Sequence, residues 1–88
     1  KIMERFFYML PKEPGKTAYG ADAVRKALDY GAVETLLVSK PMKEKAVKLI
    51  EDAERTSAKI EIISVETDEG KQFYNLAGIG AILRYAIG

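Results

Sequence analysis

The sequence predicts an α/β fold, a three-layer α/β/α sandwich built on a mixed central sheet of about four strands. Along the chain, segments with apolar residues at helical spacing alternate with short apolar segments typical of strands. The 88 residues are 48% hydrophobic and 31% charged, which suits one small folded core. No repeat or linker-like tract divides the sequence, so residues 1–88 are expected to form a single domain.

The first half of the chain contains two predicted helices and two predicted strands. Residues 2–10 place apolar side chains at helical spacing, and we expect this helix to end at Pro11. Residues 16–19 are a short candidate strand. Residues 21–30 again show helical spacing and are followed by a glycine, a common helix stop. Residues 33–38 are almost wholly apolar, as in a strand buried on both faces.

The next predicted helix runs from Pro41 to about residue 55, because proline is favoured in the first turn of a helix. Two ion pairs with favourable spacing are expected on its surface, Glu44–Lys48 and Glu51–Arg55. Its predicted apolar stripe consists of Met42, Ala46, Leu49, Ile50 and Ala53.

The last third of the chain adds two strands and one helix. Residues 59–65 predict a second central strand, and residues 81–87 predict the final strand. Between them, Thr67 or Asp68 is the expected N-cap of a helix that continues through Leu76. The first two connections are long enough for parallel strands, whereas the last is shorter and leaves the direction of the final strand open. We therefore expect a mixed sheet.

Composition excludes several classes of function. Fourteen basic and thirteen acidic side chains leave a net charge of +1, which gives no overall field that attracts nucleic acid or anionic lipid. Without cysteine or histidine, disulfides, thiolate metal sites and the commonest general base are excluded. The apolar runs are shorter than the roughly 20 residues of a membrane span, and no signal peptide is visible. We expect a cytoplasmic protein, of which a chain beginning with Lys1 is a fragment.

Two motifs associated with ligands have structural interpretations. Gly78 and Gly80 resemble part of a dinucleotide fingerprint, but they lie between a predicted helix and a strand, the reverse of the required order. We interpret them as a turn with unusual backbone angles. The acidic residues Glu66, Asp68 and Glu69 are interpreted as favourable charges at a helix start, since a calcium site needs about six to eight oxygens. No metal, cofactor or catalytic residue is expected.

A cluster of lysines lies at the start of the helix predicted from Pro41. Lys40, Lys43 and Lys45 oppose the helix dipole, and together with free N–H groups they form a candidate contact for phosphate in ribosomal RNA. A solvated helix face explains the same lysines more simply.

Aromatic residues and one arginine lie near the two ends of the chain. Phe6 and Phe7 are in the first predicted helix, whereas Arg84 and Tyr85 fall in the last apolar segment. Such side chains anchor many protein interfaces. Core packing explains Phe6 and Phe7 equally well, and an interface role for Arg84 and Tyr85 suits a last strand at a sheet edge.

Several of these segments, taken in order, resemble one protein family. They are AYG (18–20), VRKALDYGAVETLLV (24–38), AKIEIIS (58–64), EGKQF (69–73) and GIGAILRY (78–85). They are similar to the C-terminal domain of the archaeal and eukaryal peptide-chain release factor subunit 1 and to the homologous domain of the ribosome-rescue factor Pelota. The resemblance covers about residues 4–85. It implies a fold related to the kink-turn-binding ribosomal proteins, in agreement with the element order above.

The resemblance also implies a function in translation termination. In the family this domain is a non-enzymatic docking module on the ribosome. It binds the translational GTPase that delivers the factor, and it can contact the ABC-type recycling ATPase. Stop-codon reading and peptidyl-tRNA hydrolysis belong to other domains. We expect the isolated domain to be monomeric. The residues that match the family's partner-binding regions are Gly80, Ile82, Leu83, Arg84, Tyr85, Phe6 and Phe7.

Two departures from the family pattern keep alternatives open. Release factors usually carry an inserted minidomain after the second strand, which is absent here after about residue 40. Pelota is therefore an alternative, although the segments at 66–73 and 78–85 are closer to the release factor. A GGQ motif in the middle domain of the parent protein would identify a release factor. An RNA-binding module of the ribosomal-protein type is a further alternative, but Ala21-Asp22 stands where kink-turn binders carry Asn-Glu.

Overall fold

A four-stranded mixed sheet forms the middle layer of the protein in a computed structural model that describes residues 1–87. Strand β4 lies between β1 and β2 and is antiparallel to both, whereas β2 and β3 are parallel neighbours. The spatial order is therefore β1-β4-β2-β3, and the mixed sheet predicted from the sequence is confirmed. The strands are β1 (Thr17–Tyr19), β2 (Val33–Ser39), β3 (Lys59–Ile63) and β4 (Ile79–Leu83).

Helices cover both faces of this sheet, which confirms the three-layer α/β/α sandwich. Two of them, α2 and α3, pack on one face in a core that includes Leu36 and Ala81. The other two, α1 and α4, pack on the opposite face against Leu37 and Ile82. No helix within residues 1–87 has both the length and the apolar character needed to cross a membrane. The helices are α1 (Ile2–Lys12), α2 (Ala21–Asp29), α3 (Val47–Arg55) and α4 (Asp68–Leu76).

The central strand β2 is buried on both faces, as its apolar sequence predicts. Alternation sends Leu36 to the α2/α3 face and Leu37 to the α1/α4 face. The pairing with β4 shifts register between Val33 and Thr35, so that Glu34 forms a β-bulge. Arg5 of α1 donates two hydrogen bonds to the Glu34 carboxylate, at 2.8 and 3.0 Å, and this ion pair ties α1 to the start of β2.

The positions of β3 and β4 differ from those expected. Residues 59–65 were predicted to form a central strand, but β3 lies at the sheet edge with Lys59 and Glu61 exposed and Ile62 39% exposed. The last strand covers Ile79–Leu83 instead of 81–87, and all five residues are buried in the sheet centre. Because β4 enters between β1 and β2, it takes the central place and leaves β3 with one open edge.

The helix predicted from Pro41 is divided in two parts. Short 3₁₀ turns occupy Lys40–Met42 and Glu44–Ala46, and the regular helix α3 begins only at Val47. The first helix is longer than predicted, since α1 continues through Pro11 and ends at Lys12. Pro11 lies in the last turn of the helix, so it does not interrupt the turns before it.

The ion pairs predicted on α3 are replaced by a network around Asp52. Lys48 and Arg55, expected to pair with Glu44 and Glu51, both contact the Asp52 carboxylate instead, at 3.4 and 2.6 Å. Arg25 of α2 contacts the same carboxylate at 2.7 Å. Asp52 faces α2 and thus cross-links the two helices, which the spacing within α3 alone does not reveal.

Candidate protein-docking surface at one end of the sheet

The segment after β4 lies at the end of the sheet where β4 finishes and β2 begins. The Arg84 N–H donates to the Ala32 carbonyl at 2.7 Å, so the backbone stays attached to the sheet for one residue beyond Leu83. Arg84 and Tyr85 are both exposed, in contrast to the buried strand that precedes them. This end of the molecule therefore presents the two residues that the sequence suggested for an interface.

The Arg84 guanidinium links three parts of the fold. Its Nε donates to the Val33 carbonyl at 3.0 Å and its Nη2 donates to the Thr56 carbonyl at 2.8 Å. Thr56 is the C-cap of α3, where the helix dipole favours a positive charge. No carboxylate within residues 1–87 forms an ion pair with Arg84. The side chain therefore has a structural role and still leaves an uncompensated positive charge at the surface.

Tyr85 connects the same segment to the end of α2. Its hydroxyl donates to the Tyr30 carbonyl at 2.8 Å, and Tyr30 is the C-cap of α2. The two tyrosines remain 49% and 60% exposed, respectively. We call Tyr30, Arg84 and Tyr85 the end surface. Sequence reasoning missed Tyr30, because nothing in its neighbourhood distinguishes it from an ordinary exposed residue at a helix end.

The other motif residues near the C-terminus are buried. Gly80, Ile82 and Leu83 lie inside the central strand and cannot touch a partner in the folded domain. A Cβ atom on Gly80 would lie 3.0 Å from the Phe73 ring and 3.3 Å from the Phe6 ring, so glycine is needed here for close packing. The turn with unusual backbone angles is made by Gly78 alone, at φ +77°.

The two phenylalanines of α1 have different environments. Phe6 is fully buried and packs edge-to-face against Phe73, with ring centroids 5.5 Å apart. Phe7 is partly buried and packs at the margin of the same core. Partner binding by Gly80, Ile82, Leu83, Arg84, Tyr85, Phe6 and Phe7 remains a prediction. Because the other residues of this set are buried, only Arg84, Tyr85 and the accessible part of Phe7 can contact a partner directly.

The lysine cluster lies at the opposite end of the sheet, after the last residue of β2. Lys40, Lys43 and Lys45 are exposed and form no ion pair within the described chain. They occupy the 3₁₀ turns and precede the regular start of α3, so the arrangement around a helix N-terminus that the sequence suggested is not formed. An RNA contact by these lysines remains a prediction.

The acidic turn is a helix start, as predicted. The Thr67 hydroxyl accepts a hydrogen bond from the Gly70 N–H at 2.9 Å and caps α4, while Asp68 and Glu69 occupy its first turn. Within residues 1–87, no three acidic side chains converge in a way that could hold a metal ion.

Two carboxylates that join elements of the fold have lowered pKa values. The hydrogen bond from Arg25 lowers the pKa of the Asp52 carboxyl, and the hydrogen bonds from Arg5 lower the pKa of the Glu34 carboxyl. Both groups are therefore held in the ionised form at neutral pH, where they brace α2 against α3 and α1 against β2.

Comparison with known proteins places this geometry in a family. Residues 1–87 match the family described as eRF1 domain 3. The Pelota homologue of Methanococcoides burtonii is 42% identical over 79 residues, which cover 83% of this chain and 23% of the relative. The peptide chain release factor subunit 1 of Thermococcus onnurineus is 34% identical in an alignment 135 residues long, and that alignment covers 99% of this chain and 32% of the relative. The chain thus spans less than a third of either relative.

Solved structures give the same result. The C-terminal domain of the Methanosarcina mazei peptide chain release factor has a TM-score of 0.89 at 25% identity, covering 96% of this chain and 80% of that chain. Saccharomyces cerevisiae Dom34, described as a translation termination-like factor interacting with Hbs1, has a TM-score of 0.86 at 30% identity, covering 98% and 26%. A structure of ribosome-bound archaeal Pelota and ABCE1 has a TM-score of 0.86 at 28% identity, covering 99% and 26%. The chain belongs to the eRF1 domain 3 family, which is shared by release factors and Pelota proteins.

Proposed function

We propose that this chain is the docking domain of a translation termination factor and that it binds an elongation-factor-like translational GTPase through Arg84 and Tyr85. The observation that carries the proposal is the family match across residues 1–87. The interaction of the related Dom34 with Hbs1 supports a protein partner. Tyr85 and Arg84 are exposed and belong to residue types that are enriched at binding hot spots.

The ribosome and an ABC-type recycling ATPase are the further proposed partners. A related Pelota is known in a ribosome-bound structure with ABCE1. We propose a cytoplasmic location, as a ribosomal site of action implies. We propose that the domain acts by binding alone, without catalysis of its own. Its net charge of +1 favours protein contacts over a large nucleic-acid interface.

A role in ribosome rescue is the second candidate function, and the alignments favour it in one respect. The match to the Thermococcus release factor extends over 135 residues, so that relative contains residues with no counterpart in this 88-residue chain. The match to the Methanococcoides Pelota homologue needs only 79 residues. This contrast supports the proposed absence of the minidomain after about residue 40. A GGQ motif encoded upstream in the parent gene would decide for termination, and its absence would decide for rescue.

Titration calorimetry with an archaeal elongation-factor-like GTPase in its GTP-bound form tests the docking function. We expect a one-to-one complex that is weakened in Tyr85→Ala, with circular dichroism showing that the variant is folded. A kink-turn RNA, titrated at two salt concentrations, tests the RNA-binding alternative. Tight, salt-dependent binding to that RNA together with no binding to the GTPase would overturn the proposal.

A further inference from the structure

Tyr30 is the more exposed of the two tyrosines of the end surface. It lies 55 residues before Tyr85 in the chain, and only the fold brings the two together. Its backbone carbonyl accepts the Tyr85 hydroxyl, which leaves the Tyr30 side chain free of any hydrogen bond within the described residues. A tyrosine that is 60% exposed presents apolar area whose removal from water by a partner is favourable.

Arg84 supplies a positive charge one residue before Tyr85 in the chain. Its Nε and Nη2 atoms are occupied by the Val33 and Thr56 carbonyls, while Nη1 forms no hydrogen bond within residues 1–87. The arginines at 5 and 55 are each paired with a carboxylate, whereas Arg84 forms no ion pair within residues 1–87. A guanidinium with a free N–H group and no ion-pair partner is complementary to a carboxylate.

We infer that Tyr30 is a partner-contacting residue and that the end surface takes a partner segment in which an apolar side chain lies beside a carboxylate. In this arrangement the Tyr30 and Tyr85 rings cover the apolar side chain, and Arg84 pairs with the carboxylate. The inference rests on the proposed function, since the occupant is the same translational GTPase. It adds a contact residue outside the C-terminal motif and gives the chemistry of the partner.

Two other exposed tyrosines, Tyr8 and Tyr74, lack this combination. Tyr8 on α1 packs beside the Lys12 ammonium, which lies 5.3 Å from its ring centroid. Tyr74 on α4 is 44% exposed, close to the exposure of Tyr85, but it lies near Gly78 at the opposite end of the sheet. Tyr74 is therefore a matched control for an exposed tyrosine without a neighbouring uncompensated arginine.

The test is titration of the 88-residue chain with the GTP-bound elongation-factor-like GTPase, comparing wild type, Tyr30→Ala, Tyr30→Phe and Tyr74→Ala. We expect Tyr30→Ala to weaken binding about 10-fold or more, as loss of a hot-spot aromatic does. Tyr30→Phe retains the ring and is expected to bind within about twofold of wild type, as is Tyr74→Ala. Because the carbonyl that accepts the Tyr85 hydroxyl belongs to the backbone, Tyr30→Ala leaves that hydrogen bond available.

The carboxylate is tested by salt dependence. Raising NaCl from 50 to 500 mM should weaken binding of wild type more steeply than binding of Arg84→Gln, since the variant lacks the charge. If wild type binds the GTPase and Tyr30→Ala binds it as tightly as Tyr74→Ala does, the inference is overturned and the docking function stands. Equal salt slopes for wild type and Arg84→Gln would overturn the carboxylate assignment. No binding by wild type would instead overturn the proposed function and the inference with it.

Discussion

Replacing Arg84 with alanine should lower the stability of the domain as well as its binding. The change removes two hydrogen bonds from a charged donor, to the Val33 and Thr56 carbonyls at 3.0 and 2.8 Å. Each such bond contributes about 0.5–3 kcal/mol to the free energy of unfolding. The lower half of that range applies here, because water can hydrogen-bond to the two carbonyls once the arginine is removed. The expected loss is about 2 kcal/mol in the free energy of unfolding. For a domain of this size, that corresponds to a Tm lower by roughly 10 °C.

Urea denaturation followed by far-UV circular dichroism measures this loss. Arg55→Ala is the matched control, because it removes an exposed arginine that pairs only with a carboxylate on its own helix. Arg84→Lys should fall between wild type and Arg84→Ala, since one ammonium cannot reproduce the forked guanidinium contacts. Equal urea midpoints for Arg84→Ala and Arg55→Ala would refute the structural role assigned to Arg84.

Three further perturbations have defined outcomes. Gly80→Ala should destabilise the domain by about 1–3 kcal/mol, because its Cβ would crowd two aromatic rings, yet leave GTPase affinity of the folded protein unchanged; a weaker complex at equal stability would place Gly80 in the interface. Phe6→Ala should cost about 3–5 kcal/mol in chemical denaturation, and Phe7→Ala clearly less, since only Phe6 is fully buried. The pKa values of the Asp52 and Glu34 carboxyls are lower in the folded state, so their stabilisation of the fold is complete above the ordinary carboxyl pKa of about 4 and is lost as the pH falls below it. The urea midpoint of Asp52→Asn should therefore decline less steeply with falling pH than that of wild type. An unchanged slope would show that Asp52 does not contribute to the loss of stability in acid.

Local sequence patterns predicted where the helices and strands lie better than they predicted which strands are neighbours in the sheet. Helical spacing and apolar runs located four helices and four strands, because these signals are contained within each segment. The place of each strand in the sheet depends on long-range pairing. The sequence around residues 59–65 is apolar enough for a central strand, but the insertion of β4 beside β2 puts β3 at the edge. The same non-local effect made Asp52, and not Glu44 or Glu51, the centre of the ion network.

The candidate site was only partly accessible from the sequence. Resemblance to a family suggested Arg84 and Tyr85, which the structure places together on the surface. It also suggested Ile82 and Leu83, whose burial could have been anticipated only by knowing that the last strand is central. Tyr30 could not be identified, because a backbone carbonyl makes its link to Tyr85 and carries no sequence signal.

The most direct test of the central claim is a ¹⁵N–¹H correlation spectrum of the domain, titrated with the GTP-bound elongation-factor-like GTPase. The docking surface proposed here predicts that the amides shifted or broadened at the lowest partner ratios are those of Tyr30, Gly31, Arg84 and Tyr85. Perturbations confined to Lys40, Lys43 and Lys45, at the opposite end of the sheet, would contradict it.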